Sequence, residues 1–163
     1  MGKWDQVERL YDEYSNGVYR YLLSMCHDPQ AAEDILQSTF LQVLGGYAGF
    51  RGDCTARTWI FTIARNEYFR YLRKNPSHAP LDETIPASGD LAQDYTDRER
   101  IRRIFKYIEN LEEPLRTLMS LRILGGLSFA EISSILGKSE VWARVTFMRC
   151  KNKLLDQLEE GWQ

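Results

Sequence analysis

The chain has 163 residues, a formal net charge of −2 and a sequence pI near 5.8, so it suits one domain or two small ones. No apolar run approaches the ~20 residues needed to cross a bilayer, and charged side chains interrupt the first residues where a signal peptide needs an apolar core. The sequence therefore predicts a cytoplasmic protein.

Cysteine and histidine usage argues against a metal site and against catalysis. The three cysteines, Cys26, Cys54 and Cys150, are far apart and lack any Cys-x-x-Cys spacing, and the chain has only two histidines. Neither histidine has a paired carboxylate or cysteine in helical register, and no glycine-rich phosphate loop is present. We therefore expect no metal, no cofactor, no small-molecule substrate and no enzyme activity.

Charge is distributed in blocks along the chain. Residues 51–74 carry six basic and two acidic side chains, and residues 138–153 carry five basic and one acidic. Residues 75–95 between them carry four acidic side chains and no basic one. Because partners respond to the local potential rather than to the total charge, the sequence predicts two basic surfaces separated by an acidic spacer.

Helical periodicity dominates the first half of the chain. Apolar residues recur at helical spacing in three segments, at 4–26, 29–44 and 56–74. Gly45 and Gly46 are predicted to end the second helix, and residues 49–55 form a loop by composition.

A proline-rich segment follows at 75–94, without helical periodicity, and is predicted to be an extended linker. The second half then contains a helix through Ile101 and Leu111 and another that starts at Pro114 and ends at Gly125. The predicted fold is all-α, with two small helical domains at 1–75 and 96–163 joined by a linker at 76–95.

The last third of the chain has the pattern of a helix-turn-helix. Ser128 and Glu131 have capping-box spacing, Gly137 supplies a turn, and Ser139 can cap a basic final helix whose free backbone N–H groups suit a phosphate. Such a final helix fits the major groove of DNA, although an ordinary helical hairpin with a solvated basic face would show the same pattern. The apolar residues predicted to pack the pair are Phe129, Ile132, Ile135, Leu136, Val141, Phe147 and Leu154.

Three segments together resemble the extracytoplasmic-function (ECF) group of bacterial sigma factors. AAEDILQSTFLQVL at 31–44 is similar to the family's second-helix motif, and FRGDCTARTWIFTIARNEYFRYLRK at 50–74 resembles its loop and promoter-melting helix. LSFAEISSILGKS at 127–139 matches its first reading helix and turn. The resemblance covers nearly the whole chain in the right order.

The resemblance implies a transcription initiation factor. The first domain would bind the clamp helices of RNA polymerase core and read the minus-ten element, partly as single-stranded DNA. The second domain would read the double-stranded minus-thirty-five element while docked on the polymerase flap, and the linker would pass through the RNA exit channel. The family also implies an anti-sigma factor, often membrane-bound, which would hold the chain at the membrane.

Residue roles are carried over position by position. The core-binding residues are Glu33, Asp34, Gln37 and Phe40, although Phe40 could equally be a core residue. The minus-ten residues are Phe50, Arg51, Asp53, Thr62, Asn66, Arg70 and Arg73, with the loop at 50–55 shaping a pocket for a flipped base. Trp59, by its spacing, is expected in the core rather than as a stacking platform.

The final helix departs from the family pattern. Its minus-thirty-five residues are Ser139, Arg144, Val145, Thr146, Met148, Arg149 and Lys151. Many family members have Val-Lys-Ser-Arg where this chain has Ala143, Arg144, Val145 and Thr146. The apolar replacements favour contact with a thymine methyl group. The resemblance therefore implies how the helix binds DNA but does not give the promoter sequence.

A helix-turn-helix regulator that binds DNA without polymerase core is the alternative function. It would explain the second half of the chain but not the motif at 50–74. The two differ in one observable, since a sigma factor needs core to bind its promoter and a regulator does not.

Overall fold

A computed structural model describes residues 2–76 and 95–160 of the chain, and all regular structure within them is helical. The predicted linker lies almost wholly outside the described residues. The α-helices are α1 (Lys3–Cys26), α2 (Pro29–Gly46), α3 (Ala56–Lys74), α4 (Tyr95–Glu109), α5 (Leu115–Met119), α6 (Phe129–Leu136) and α7 (Glu140–Glu160). A 3-10 turn at Tyr47–Gly49 follows α2, and a π-helical turn at Ser120–Leu124 follows α5. No helix of the described residues is long and apolar enough to span a membrane.

Local capping fixes the ends of the first three helices. His27 adopts the left-handed conformation with φ 55° and ends α1, while the Asp28 side chain accepts the Gln30 backbone N–H at 3.0 Å and starts α2. Thr55 caps α3 by accepting the Thr58 N–H at 3.1 Å. The predicted end of α2 was wrong by two residues, because the helix continues through both glycines at 45 and 46.

The helix-turn-helix has the predicted local structure. The capping box is confirmed, with Ser128 Oγ accepting the Glu131 N–H and Glu131 Oε1 accepting the Ser128 N–H, both at 3.1 Å. Gly137 has φ 68° at the turn, and Ser139 Oγ accepts the Trp142 N–H at 3.0 Å. Val141 was wrongly predicted to pack the pair, since 70% of its surface is exposed.

The two helical domains pack directly against each other. Phe61 of α3 is fully buried against Gly125 at the end of the π-turn, and Ser24 of α1 donates to Ser120 Oγ at 2.9 Å. One cluster of buried apolar residues therefore runs from α1–α3 into α6 and α7. The sequence predicts both domains but contains no signal for this closed arrangement.

Candidate nucleic-acid and polymerase interfaces

An open pocket of about 360 Å³ lies beside α3. Its wall is formed by the rings of Phe50 and Trp59, which stack with centroids 4.6 Å apart at an interplanar angle of 22°. Ile63, Asn66 and Arg70 line it from the next turns of the helix. An aromatic wall beside an amide and a guanidinium can stack a base, bind its edge and hold its phosphate.

Trp59, predicted to lie in the core, packs there and also faces the pocket. It is half-buried and packs against the main core, yet its ring also stacks on Phe50 in the pocket. The core packing keeps the indole rigid, and a rigid ring is what a stacking platform requires.

Of the predicted minus-ten residues, the structure brings Phe50, Asn66 and Arg70 together at this pocket, and the other four do not line it. Asn66 and Arg70 are exposed, and Arg73 is exposed in the last turn of α3. Thr62 is half-buried, and its hydroxyl donates to the Thr58 carbonyl oxygen at 2.7 Å, which leaves only acceptor capacity for a ligand. Arg51 and Asp53 are exposed on the preceding loop.

The predicted core-binding residues divide into three exposed side chains and one buried side chain. Glu33, Asp34 and Gln37 lie on the exposed face of α2, with Asp34 accepting a hydrogen bond from Gln30 Nε2 at 3.1 Å. Phe40 is only 8% exposed and meets the Tyr11 ring edge-on at 5.0 Å. The Phe40 side chain thus supports the fold in this structure, while neighbouring Leu41, 69% exposed, was not identified from the sequence.

Helix α7 has a buried face and an exposed face. Ala143, Cys150 and Leu154 are buried at helical spacing toward the rest of the domain. The opposite side carries the predicted minus-thirty-five residues, with Ser139, Arg144, Val145, Met148, Arg149 and Lys151 exposed and Thr146 half-buried. These side chains are therefore accessible to a partner without any rearrangement of α7.

Arg144 makes two contacts within the chain itself. Its Nη2 lies 3.1 Å from Glu140 Oε1, one turn earlier, and its guanidinium lies 5.3 Å from the centre of the Phe129 ring. Both Arg144 and Glu140 are well exposed, so this ion pair is worth little and gives way easily to a base or a phosphate.

A buried polar network joins the two domains at Glu131 of α6. The Arg57 guanidinium binds its carboxylate in a fork, with Nη2 to Oε1 at 2.8 Å and Nε to Oε2 at 3.2 Å. The hydroxyls of Thr55 and Thr58 also donate to Oε2, at 2.8 and 3.1 Å. Arg57 donates further to the Gly126 carbonyl oxygen at 3.1 Å.

The network determines the protonation of Glu131. Burial by itself would raise the pKa of this carboxyl, but hydrogen bonds from Arg57, Ser128 and Thr55 outweigh burial and lower the pKa to about 2. Glu131 is therefore a fixed negative charge at physiological pH. Sequence analysis assigned it only a capping role, and the capping box carried no signal for a partner 74 residues away on α3.

Two of the three cysteines have buried environments that suppress reactivity. Burial raises the pKa of the Cys26 thiol to about 11 and also raises the pKa of Cys150. Cys54 is half-exposed. Among the described residues, no group of three or more His, Cys, Asp or Glu side chains is placed to hold a metal ion.

Comparison with known proteins identifies the family. The family model described as Sigma-70 region 2 matches residues 10–77, the segment that contains α2, the loop and α3. The chain is 30% identical over 163 residues to the RNA polymerase sigma factor CarQ of Myxococcus xanthus, covering 98% of this chain and 92% of that protein. It is 28% identical over 151 residues to the ECF sigma factor SigM of Bacillus subtilis strain 168, covering 91% of this chain and 92% of SigM.

The fold is also found among solved structures. The sigma factor RpoE, solved in complex with the anti-sigma factor NepR from Bartonella quintana, superposes with a TM-score of 0.74 at 18% identity. The match covers 93% of this chain and 96% of that chain, so it includes both helical domains. Together with the full-length sequence matches, it shows that the chain belongs to the ECF group of RNA polymerase sigma factors, which are initiation factors and not enzymes.

Proposed function

We propose that this chain directs RNA polymerase core to promoters, reading the minus-ten element with the loop and α3 and the minus-thirty-five element with α7. One observation carries the proposal: an aromatic-walled pocket on a basic helix and an exposed helix-turn-helix reading face occur in the same chain. A regulator that binds duplex DNA alone has no use for the pocket.

The pocket suits one base taken out of the stack. A base that enters beside the Phe50–Trp59 pair gains stacking worth about 1–3 kcal/mol, which offsets the few kcal/mol that unstacking costs. Asn66, on the rim, has both a donor and an acceptor for the base edge. Arg70 and Arg73 then follow the phosphates of the separated strand.

The reading face of α7 suits a major groove that contains thymine. Arg144 is positioned for a guanine edge or a phosphate, and Val145 and Met148 beside it offer apolar contact to a thymine methyl. The first turn of α7, capped by Ser139, presents backbone N–H groups to a phosphate. The sequence specificity of promoter binding would therefore come from a short part of α7 that combines apolar side chains with a cation.

The polymerase would contact two further surfaces. The acidic face of α2, with Glu33, Asp34 and Gln37, suits the clamp helices of core, and exposed Leu41 adds an apolar contact to that face. Phe40 would contribute indirectly, by packing in the core beneath this face. An open groove of about 500 Å³ between α4 and α7, apolar at Tyr107 and Leu154, is the proposed flap-docking surface.

An anti-sigma factor is the proposed regulator. RpoE, the structural relative, was solved with such a partner, and the two-domain arrangement is shared. The site of action is expected to be the cytoplasm, where promoter DNA and polymerase are found. A membrane-bound anti-sigma factor would inhibit the chain by keeping it at the membrane.

The test is a gel shift with and without polymerase core. Genomic fragments retained by the chain together with core are sequenced, and one fragment is then titrated with the chain alone, with core alone and with both. A sigma factor shifts the fragment only with both. A shift of equal affinity by the chain alone would instead establish a core-independent regulator.

A further inference from the structure

Glu67 is the only acidic side chain of α3, the basic helix that forms one side of the pocket. It lines that pocket together with Phe50, Trp59 and Asn66, and it is not among the site residues predicted from the sequence. A negative charge in a site for single-stranded DNA repels the phosphates and so weakens binding to the backbone. A carboxylate at this position is therefore expected to contact a base and not the backbone.

The Glu67 carboxylate is not fully used by its ion pair. Its Oε1 lies 3.7 Å from Arg70 Nη1, which is longer than a hydrogen bond, and no group within residues 2–76 and 95–160 donates a hydrogen bond to either oxygen. Arg70 is 55% exposed, so water screens the pair and the pair contributes little to stability. Both carboxylate oxygens thus remain available to a ligand in the pocket.

The four bases differ in how their Watson–Crick edges meet a carboxylate, which accepts hydrogen bonds and donates none. Guanine presents two adjacent donors, the N1–H and the N2 amino group, which match the two carboxylate oxygens. Adenine and cytosine each present one amino group next to an acceptor. Thymine presents one N–H between two carbonyl oxygens, which a carboxylate repels. Glu67 therefore matches guanine best and thymine worst.

The other polar groups of the pocket complement the rest of the guanine edge. The amides of Asn66 and Gln42 line the pocket and supply donors, which suit the O6 acceptor of guanine. The pocket volume of about 360 Å³ lies in the range of sites that bind small organic ligands, roughly 300–1,000 Å³. The stacked rings of Phe50 and Trp59 offer an aromatic wall to the base. Acceptors, donors and a stacking wall thus occur in one pocket.

We propose that Glu67 selects guanine as the base that enters the pocket, by accepting hydrogen bonds from its N1–H and N2 amino group. The proposal rests on the proposed function, because it requires that a base of the separated promoter strand occupies the pocket. Phe50 and Trp59 stack on any base, since every base has an aromatic face. Glu67 determines which base is preferred.

Selection of single-stranded DNA by the full-length chain bound to polymerase core tests the proposal. Oligonucleotides with random bases are retained on the complex and sequenced. We expect wild type to enrich guanine over thymine at one position by about tenfold or more. Glu67→Gln replaces one acceptor by a donor, which matches adenine, so the preference at that position should change from guanine to adenine. Glu112→Gln, on an exposed residue outside the pocket, is the matched control and should keep the wild-type preference.

A change in the DNA separates base recognition from any effect of the variant on folding. Inosine in place of the selected guanine keeps N1–H and O6 but lacks the N2 amino group. Its affinity for the wild-type complex, measured by fluorescence anisotropy, should be about tenfold lower than that of guanine, because one hydrogen bond to a charged group is lost. Glu67→Gln should show a smaller difference between the two bases, since the contact is already altered.

The outcomes separate failure of this proposal from failure of the proposed function. The proposal is wrong if wild type and Glu67→Gln have identical base preferences at every position, or if wild type binds guanine and inosine equally well. If core retains no strand through the wild-type chain, the proposed function itself is wrong, and the role of Glu67 falls with it.

Discussion

Gly125 is the glycine of the described residues at which adding one carbon atom should disturb the packing most. A Cβ built on Gly125 would lie 2.8 Å from the Leu121 carbonyl oxygen and 3.0 Å from both Leu127 Cδ1 and Phe61 Cε1. Its backbone has φ −85° and ψ −22°, which alanine adopts without strain. The cost of Gly125→Ala therefore comes from packing alone, partly within the second domain at Leu121 and Leu127 and partly against Phe61 of the first domain.

The size of the effect follows from opposing contributions. Inserting a carbon into well-packed surroundings costs about 1–3 kcal/mol, and replacing glycine by alanine at a compatible backbone returns about 0.4–1 kcal/mol through the unfolded state. We expect Gly125→Ala to lower the free energy of unfolding by about 1–2 kcal/mol. For a chain of this size, that corresponds to a melting temperature lower by about 2–8 °C.

Gly17→Ala is the matched control on the facing helix. A Cβ there would meet the Gly125 carbonyl oxygen and the Phe61 ring at 3.6 Å, which is ordinary contact, and α1 gains about 0.5–1 kcal/mol from losing a mid-helix glycine. Urea denaturation followed by circular dichroism should place the two variants on opposite sides of wild type. If Gly125→Ala is as stable as Gly17→Ala, the packing around Gly125 is looser than described.

Four further outcomes are expected. Asp34→Lys combined with Gln37→Ala should weaken binding to polymerase core without loss of helicity, because charge complementarity and a polar anchor are lost together; undiminished affinity in a titration would refute the assignment. Asn66→Ala should reduce permanganate reactivity of the promoter bubble more than initial promoter binding, since its partner is exposed only after melting. Arg144→Ala should remove about 1–3 kcal/mol of discrimination between promoter and mismatched sequences, measured by competition with core present. Because Glu131 has a pKa lowered from 4.5 to about 2, its contribution to stability should be constant from pH 8 to 5 and be lost as the pH falls from about 4.5 to about 2; Glu131→Gln should lack this acid-dependent part in urea titrations. The matched controls for the first three, all on exposed residues, are Asp156→Lys, Asn16→Ala and Arg102→Ala.

Much of the fold could be predicted from local signals. Apolar residues at helical spacing located the long helices, and Ser128, Gly137 and Ser139 located the helix-turn-helix, because capping and turn preferences depend on neighbouring residues alone. Gly45 and Gly46 misled the prediction because glycine weakens a helix without forbidding it. Val141 was wrongly assigned to the packing face because the apolar pattern in the first turn of a helix fits more than one face.

The closed arrangement and the Glu131–Arg57 contact depend on residues that are far apart in the sequence. From the sequence, Glu131 is predicted to be a capping residue, and Arg57 is one of several positive charges on a basic helix. Both descriptions hold within their own helices. Only folding brings them together across 74 residues. For the same reason, Phe40 could not be assigned to either the core or an interface from its spacing, whereas its contact with Tyr11 places it in the core of this structure.

Run-off transcription is the most direct test of the central claim that this chain is a promoter-specific initiation factor. Linear templates recovered with chain and core are transcribed by core alone and by core with the chain, and the transcript ends are sequenced. The account predicts transcripts only when the chain is present, with start sites at a fixed distance from a shared pair of sequence boxes. Tight binding of the chain to the templates without core, and no chain-dependent transcript, would contradict it.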